Sequence, residues 1–148
     1  RVNHTSVWKY LRYLEKEGIL ERKKDGLYPM YRVILSRKFL NLKLYYNLEK
    51  LRVSGLMEEL ERLYDNPIIV LFGSYSKAMD DKLSDIDLCL VTEIEKEINT
   101  EKYKKVLNRE VNLHIFNKKK WNTMRDKNKE LMNSILNGIV LEGELEVF

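Results

Sequence analysis

Asp85 and Asp87 are separated by one residue in Asp85-Ile86-Asp87-Leu88-Cys89-Leu90-Val91, a stretch with the apolar content of a strand. Side chains two apart on a strand share a face. The two carboxylates therefore stand side by side, with Ile86 and Leu88 turned to the other face and the core. Adjacent carboxylates repel unless a cation lies between them. Hard oxygens at this spacing suit Mg²⁺, which also takes phosphate oxygens and water. Ahead of the pair, the apolar run Ile68 to Phe72 stops at Gly73-Ser74. A glycine lets backbone approach a phosphate closely, and successive amides with a hydroxyl can cradle it. A helix starting near Ser74 would add its positive dipole end. A triphosphate cradle facing a metal-binding pair is a layout for phosphoryl or nucleotidyl transfer, with two metals stabilising the attacking and leaving oxygens. The competing reading is a pair of carboxylates lining a solvated strand edge. It is the weaker one, because two unpaired charges beside a hydrophobic strand start stabilise little.

These residues need elements to hold them. Ile68 to Phe72 reads as a buried strand after the turn Asp65-Asn66-Pro67. Asp85 to Val91 and Glu110 to Phe116 read as further strands, with Glu93 to Asn108 helical between them. A last helix is expected from Lys118 to Asn137, with Trp121, Met124, Leu131 and Ile135 on one face and Gly138 as its stop. Val140 to Phe148 would form a short closing strand. Cys89 is in phase with Asp85 and Asp87, at the cleft floor or as a small packing residue.

Upstream, Asn3-His4-Thr5 offers N-cap side chains to a helix with Val7, Leu11 and Leu14 at helical spacing, ended by Gly18. Ile19 to Lys24 and Leu27 to Leu35 flank Asp25-Gly26, a hairpin turn, and Pro29 confines the second strand to an edge or its start. Ser36 would cap a helix through Leu51 that Gly55 bends or breaks, and Leu56, Leu60 and Leu63 continue it to Tyr64. The period changes near residue 65. The expected organisation is 1–35, a helix-and-hairpin segment; 36–64, a helical linker; and 65–148, a strand-containing domain.

The 148 residues are 44% hydrophobic and 34% charged, enough to bury a core. A net charge of +4 permits a nucleic-acid partner without showing one, since 23 acidic residues offset 27 basic ones. The single cysteine excludes an internal disulfide and a cysteine-rich zinc site, and fits a cytoplasmic protein. No apolar run approaches a membrane span. Glutamine is absent and Lys and Glu abundant, a bias of heat-loving organisms. The start at Arg1, already inside a helical pattern, suggests that N-terminal sequence is missing.

The run GSYSKAMDDKLSDIDLCLV resembles the nucleotidyltransferase superfamily of DNA polymerase beta, in particular the minimal nucleotidyltransferases. Their motif is Gly-Ser, ten residues, then Asp-x-Asp, and Tyr75 to Ser84 supply the ten. The resemblance implies an α+β fold with a small mixed sheet backed by helices. It implies transfer of a nucleoside monophosphate, AMP first, from a Mg²⁺-bound NTP (ATP) to an acceptor hydroxyl. That acceptor could be a protein tyrosine, a nucleic-acid end or a small molecule. Asp85 and Asp87 would be catalytic and hold the metal. Gly73 and Ser74 would bind the nucleotide, with Tyr75, Lys77 and Ser84 beside them. Lys82 and Ser76 are further candidates, although loop lysines are usually only solvated. The sequence departs from the pattern twice. The family has a second glycine where Ala78 stands, and Ala fits there if the backbone is helical. The family also has a third carboxylate where Asn112 stands. An amide is a poor metal ligand beside a carboxylate and no general base. Glu110 and His114 share the face of Asn112, each displaced by roughly 6–7 Å along the strand.

The N-terminal order of helix, Gly, strand, Asp-Gly turn and strand resembles the recognition helix and wing of a winged helix-turn-helix domain of bacterial and archaeal regulators. The two helices that should precede it are not in the sequence. The resemblance implies DNA contacts from His4, Thr5, Ser6, Lys9 and Arg12, and phosphate contacts from Arg22, Lys23 and Lys24. The alternative is a basic solvated face. Two other readings stay open. One is a transcriptional regulator whose degenerate transferase fold senses nucleotide. The other is an antitoxin with a small helical ribonuclease as its toxin-like partner. Tyr45, Tyr46 and the linker leucines could form a homodimer interface or pack on their own domains.

Overall fold

The computed structural model describes residues 3–25 and 28–145. The chain divides into two compact units, Arg1–Lys43 and Leu44–Phe148.

In the first unit, helix α1 (His4–Lys16) starts under Asn3, whose Oδ1 accepts the Thr5 N–H at 3.1 Å. This is one of the caps expected from the sequence. Gly18, at φ 69°, turns the chain out of the helix. Strands β1 (Leu20–Asp25) and β2 (Tyr28–Val33) pair antiparallel from Leu20–Val33 to Asp25–Tyr28. Pro29, opposite Lys24, needs no second ladder in a two-stranded ribbon. Gly26 of the predicted turn, with Leu27, lies outside the described residues. Helix α1 buries none of its residues, and within this unit's described residues only Ile19 is fully buried. Helix α2 (Arg37–Val53) follows, its first turn capped by Ser36 Oγ on the Phe39 N–H at 3.3 Å.

The second unit takes the C-terminal part of α2, then α3 (Leu56–Tyr64), β3 (Ile68–Phe72), the single turn α4 (Gly73–Ser76), β4 (Ile86–Val91), α5 (Glu101–Leu107), β5 (Val111–Phe116), α6 (Lys118–Lys127), α7 (Lys129–Leu136) and β6 (Ile139–Glu142). The sheet order is β5-β4-β3-β6. Strands β3/β4 and β3/β6 are antiparallel and β4/β5 parallel, so the sheet is mixed, as expected.

Strand alternation divides the core in two. Ile69, Leu71, Ile86, Leu88 and Leu90 pack on one face with Leu51, Leu56, Leu60 and Tyr64 from α2 and α3, and Tyr103 and Leu107 from α5. Val70, Phe72 and Cys89 pack on the other with Trp121 and Met124 of α6 and Met132 and Ile135 of α7. Each central strand is thus apolar on both sides, which is why Ile68 to Phe72 reads as a continuous run. Gly138 lies where a Cβ would come within 2.5 Å of the Leu71 carbonyl oxygen, so α7 can close onto β3 only with glycine there.

Three expectations need correction. Residues 93–100 are not helical; regular helix covers only Glu101–Leu107. The predicted helix Lys118 to Asn137 is two helices. Asn128 leaves helical geometry at φ −130°, ψ 76° and caps the next turn through Oδ1 on the Leu131 N–H at 3.1 Å. Asn competes with the helix for backbone hydrogen bonds, and hydrophobic spacing does not register that. The closing strand is Ile139–Glu142; residues 146–148 of the predicted segment lie outside the described ones.

Candidate active site

Asp87 sits in β4 between two neighbours. On one side its Cα pairs with Phe72, the last residue of β3; on the other it pairs with Asn112 of β5. Asp85 lies one residue ahead of β4 rather than within it, and the ladder starts at Ile86, whose N–H donates to the Glu110 carbonyl at 2.9 Å. Both aspartates are half-buried, while Ile86 and Leu88 are fully buried on the opposite face. The carboxylates share a face, as their spacing requires.

Asn112 draws the pair together. Its Nδ2 donates to Asp85 Oδ2 at 3.1 Å and to Asp87 Oδ1 at 3.3 Å. The amide therefore bridges the two carboxylates and relieves the repulsion between their charges.

Gly73 adjoins the pair from the other side. It has φ 75°, and a Cβ built on it would lie 2.5 Å from Asp87 Oδ2. A side chain here would be strained by the left-handed backbone and would displace the Asp87 carboxylate. The end of β3 and the carboxylate of β4 are thus in direct contact, and Ser74 follows half-buried. The helix after Gly73 is a single turn of four residues. Its individual amides can meet an anion, but the full helix dipole expected from the sequence is not there.

The loop to Asp85 is pinned by residues that sequence reasoning missed. Arg109 donates from Nη2 to Asp80 Oδ2 and from Nη1 to the Ser84 carbonyl, both at 2.7 Å, and also hydrogen-bonds the Asp81 carbonyl. Its guanidinium lies 5.4 Å from the Tyr75 ring centre. Asn47 Nδ2 donates to Asp80 Oδ1 at 2.9 Å and to the Tyr75 carbonyl at 3.2 Å. Asn47 did carry a signal: it interrupts the Leu44, Leu48, Leu51 stripe, where a polar residue must find buried partners. Asp80 and Arg109 carried none, because only tertiary folding brings them together.

Several predicted binding residues have other duties. The Tyr75 ring is buried, its hydroxyl donates to the Asn47 carbonyl at 3.4 Å, and burial pushes its pKa up to about 12. It can offer a ligand only its backbone. The Ser84 hydroxyl donates to Asp81 Oδ1 at 3.0 Å and accepts the Asp81 N–H at 2.9 Å, so it staples the loop. The Leu83 N–H most of all, and then the Ser84 hydroxyl, hold the Asp81 carboxyl below the usual range. Buried Ser76 donates to the Gly73 carbonyl at 2.9 Å. Lys77 and Lys82 are exposed.

Neither alternative third acid is free. Glu110 hydrogen-bonds Lys104, which holds its carboxyl below the usual range. The His114 ring packs edge-on against Phe72, with centroids 5.3 Å apart. Cys89 is a buried packing residue whose thiol burial pushes up to about 12.

Ala78 has φ 55°, so the backbone where the family has its second glycine is left-handed, not helical. That conformation costs an alanine on the order of 1–2 kcal/mol. A buried methyl returns about 0.8 kcal/mol, and a chain less free than glycine when unfolded returns a further 0.4–1. The terms nearly cancel, which explains how alanine is accommodated.

In the first unit, His4, Thr5, Lys9 and Arg12 are exposed on α1 and Lys23 and Lys24 on β1, with Ser6 half-buried. The Arg12 and Arg22 guanidinium groups lie 5.9 and 5.8 Å from the Trp8 ring centre. Among the described residues no helix is long and apolar enough to cross a membrane.

No curated protein matches the chain. Among solved structures, the chain is similar to a "putative nucleotidyltransferase" from Sulfolobus solfataricus, at 16% identity and a TM-score of 0.40. The match covers 72% of this chain and 89% of that one. The family model for the nucleotidyltransferase domain matches residues 53–137, a span holding Gly73, Ser74, Asp85, Asp87 and Asn112. That span is more than half of the sequence, and the chain belongs to the nucleotidyltransferase domain family.

Proposed function

We propose that the chain transfers a nucleoside monophosphate, AMP in the first instance, from a Mg²⁺-bound nucleoside triphosphate to an acceptor hydroxyl. The observation carrying this reading is the closeness of Asp87 Oδ2 to Gly73, where a Cβ would come within 2.5 Å of it. It brings the phosphate-cradling turn against the carboxylate pair. The donor set suits Mg²⁺: two half-buried carboxylates on one face, offering hard oxygens. Asp85 and Asp87 would hold the cation, which supplies neutralisation of the triphosphate charge. Gly73 and Ser74 would bind phosphate oxygens through their amides. The acceptor oxygen bonds to the α-phosphorus, the bond to the α–β bridging oxygen breaks, and pyrophosphate leaves with the electron pair. The hydroxyl proton passes to water, because Asn112 is no base and Glu110 is held by Lys104.

The Asn112 amide between the carboxylates favours a second reading, in which the same cleft binds nucleotide without turning it over and acts as a sensor. In that reading residues 1–35 are the recognition helix and wing of a winged helix. Exposed Thr5, Lys9 and Arg12 on α1 and Lys23 and Lys24 on the hairpin support DNA contact. Incubation of the full chain with α-labelled ATP, Mg²⁺ and candidate acceptors separates the two readings, with Asp85→Asn/Asp87→Asn as control. Label transfer that the control loses supports the enzyme. Thermal stabilisation by ATP without transfer supports the sensor, and neither response refutes both.

A further inference from the structure

We infer that the cleft takes one divalent cation rather than two, and that the Asn112 amide stands in the place of the second. The inference rests on the nucleotide-binding reading above. The oxygens of the carboxylate pair are already divided. Asp85 Oδ2 and Asp87 Oδ1 turn toward β5 and accept the two Nδ2 hydrogen bonds of Asn112. Asp87 Oδ2 turns the other way, against Gly73, on the side where a triphosphate would lie. A cation arriving with the triphosphate meets a carboxylate oxygen there without disturbing the amide. A second cation, on the β5 side, would have to compete with the amide for the same two oxygens and the space between them.

Turning the amide over would present its oxygen instead, but that forfeits both hydrogen bonds for one neutral ligand. Mg²⁺ gives up water reluctantly and relies on carboxylates to do so. The neighbouring acid, Glu110, is turned to Lys104 in an exposed ion pair, one residue outside the strand that carries Asn112. His114 lies edge-on to Phe72, and an imidazole is a poor Mg²⁺ ligand in any case. Among the described residues no group of three or more His, Cys, Asp or Glu is placed to hold a metal. One divalent cation balances the two carboxylates, and nothing on the protein side balances a second.

The test uses the full chain with α,β-methylene-ATP, which cannot release its α-phosphoryl group to an acceptor, and Mn²⁺ as a paramagnetic probe. Two Mn²⁺ ions about 3.5–4 Å apart, the spacing of two-metal transferase sites, couple magnetically, whereas a single ion does not. The expected spectrum of the wild-type complex is that of isolated Mn²⁺. Asn112→Asp is expected to give the coupled pair, and Asn112→Ala to remain uncoupled, since it removes the amide without adding a charge. A coupled pair in the wild type overturns the inference, as does an uncoupled spectrum from folded, Mn²⁺-saturated Asn112→Asp. Should that variant not fold, the wild-type and Asn112→Ala spectra decide. Absence of any analogue-dependent Mn²⁺ binding refutes the nucleotide reading itself, a result distinct from both.

Discussion

Replacing Arg109 with methionine should destabilise the second unit by about 3 kcal/mol. The Asp80 side chain is 1% exposed and that of Arg109 16%. Breaking such a pair by removing one partner costs on the order of 3–5 kcal/mol, because the remaining charge stays buried. Asn47 still donates to Asp80 at 2.9 Å, which puts the cost at the lower end. The lost bonds to the Asp81 and Ser84 carbonyls add little, since water can reach both. For a unit of about 100 residues, 3 kcal/mol corresponds to a fall in Tm of roughly 12–16 °C. Circular dichroism melts and urea titrations measure this. The double variant Arg109→Met/Asp80→Leu should melt above Arg109→Met alone, because it leaves no buried carboxylate. A loss below about 1 kcal/mol in the single variant, or a double variant less stable than the single, would refute the reasoning. Because Arg109 also pins the loop leading to Asp85, nucleotide affinity should fall with it at temperatures where the variant is folded.

Gly73→Ala should weaken nucleotide binding at least about tenfold, because its Cβ would fall 2.5 Å from Asp87 Oδ2 in left-handed backbone; unchanged affinity by calorimetry would contradict the cradle. Alkali should destabilise the fold. The Cys89 thiol and Tyr75 hydroxyl are raised by burial from 9.0 and 10.0 to about 12, so their contribution is intact below pH 9 and is lost as pH climbs toward 12. Melts from pH 8 to 11.5 should show this decline, flattened in Cys89→Ala/Tyr75→Phe; an unchanged slope there would refute the assignment. If α1 reads DNA, a gel shift should weaken with salt and be lost in Lys9→Ala/Arg12→Ala. A shift indifferent to both would exclude that face.

Much of the site was legible because strand geometry is periodic. The one-residue spacing of Asp85 and Asp87 dictated a common face, and the alternation that faces Ile86 and Leu88 into one core layer buries Cys89 in the other. The abrupt end of an apolar run at Gly73-Ser74 marked the turn. Interactions between distant segments were not legible. Arg109 meets Asp80 only because the start of β5 lies beside the loop after α4, and no local pattern encodes that. Ser84 and Tyr75 look like ligands in a motif, yet their side chains are consumed by Asp81 and by the core. The split of the last helix at Asn128 was missed because hydrophobic spacing runs through it while a capping side chain interrupts it.

Calorimetric titration of the full chain with α,β-methylene-ATP, with and without Mg²⁺, tests the central claim that Asp85, Asp87 and the Gly73-Ser74 turn hold a metal-bound triphosphate. The wild type should bind in a Mg²⁺-dependent manner, and Asp85→Asn/Asp87→Asn should lose at least about a hundredfold in affinity, since each neutralised carboxylate removes a charged metal ligand. Binding that is equally tight in the variant, or indifferent to Mg²⁺, would contradict the account.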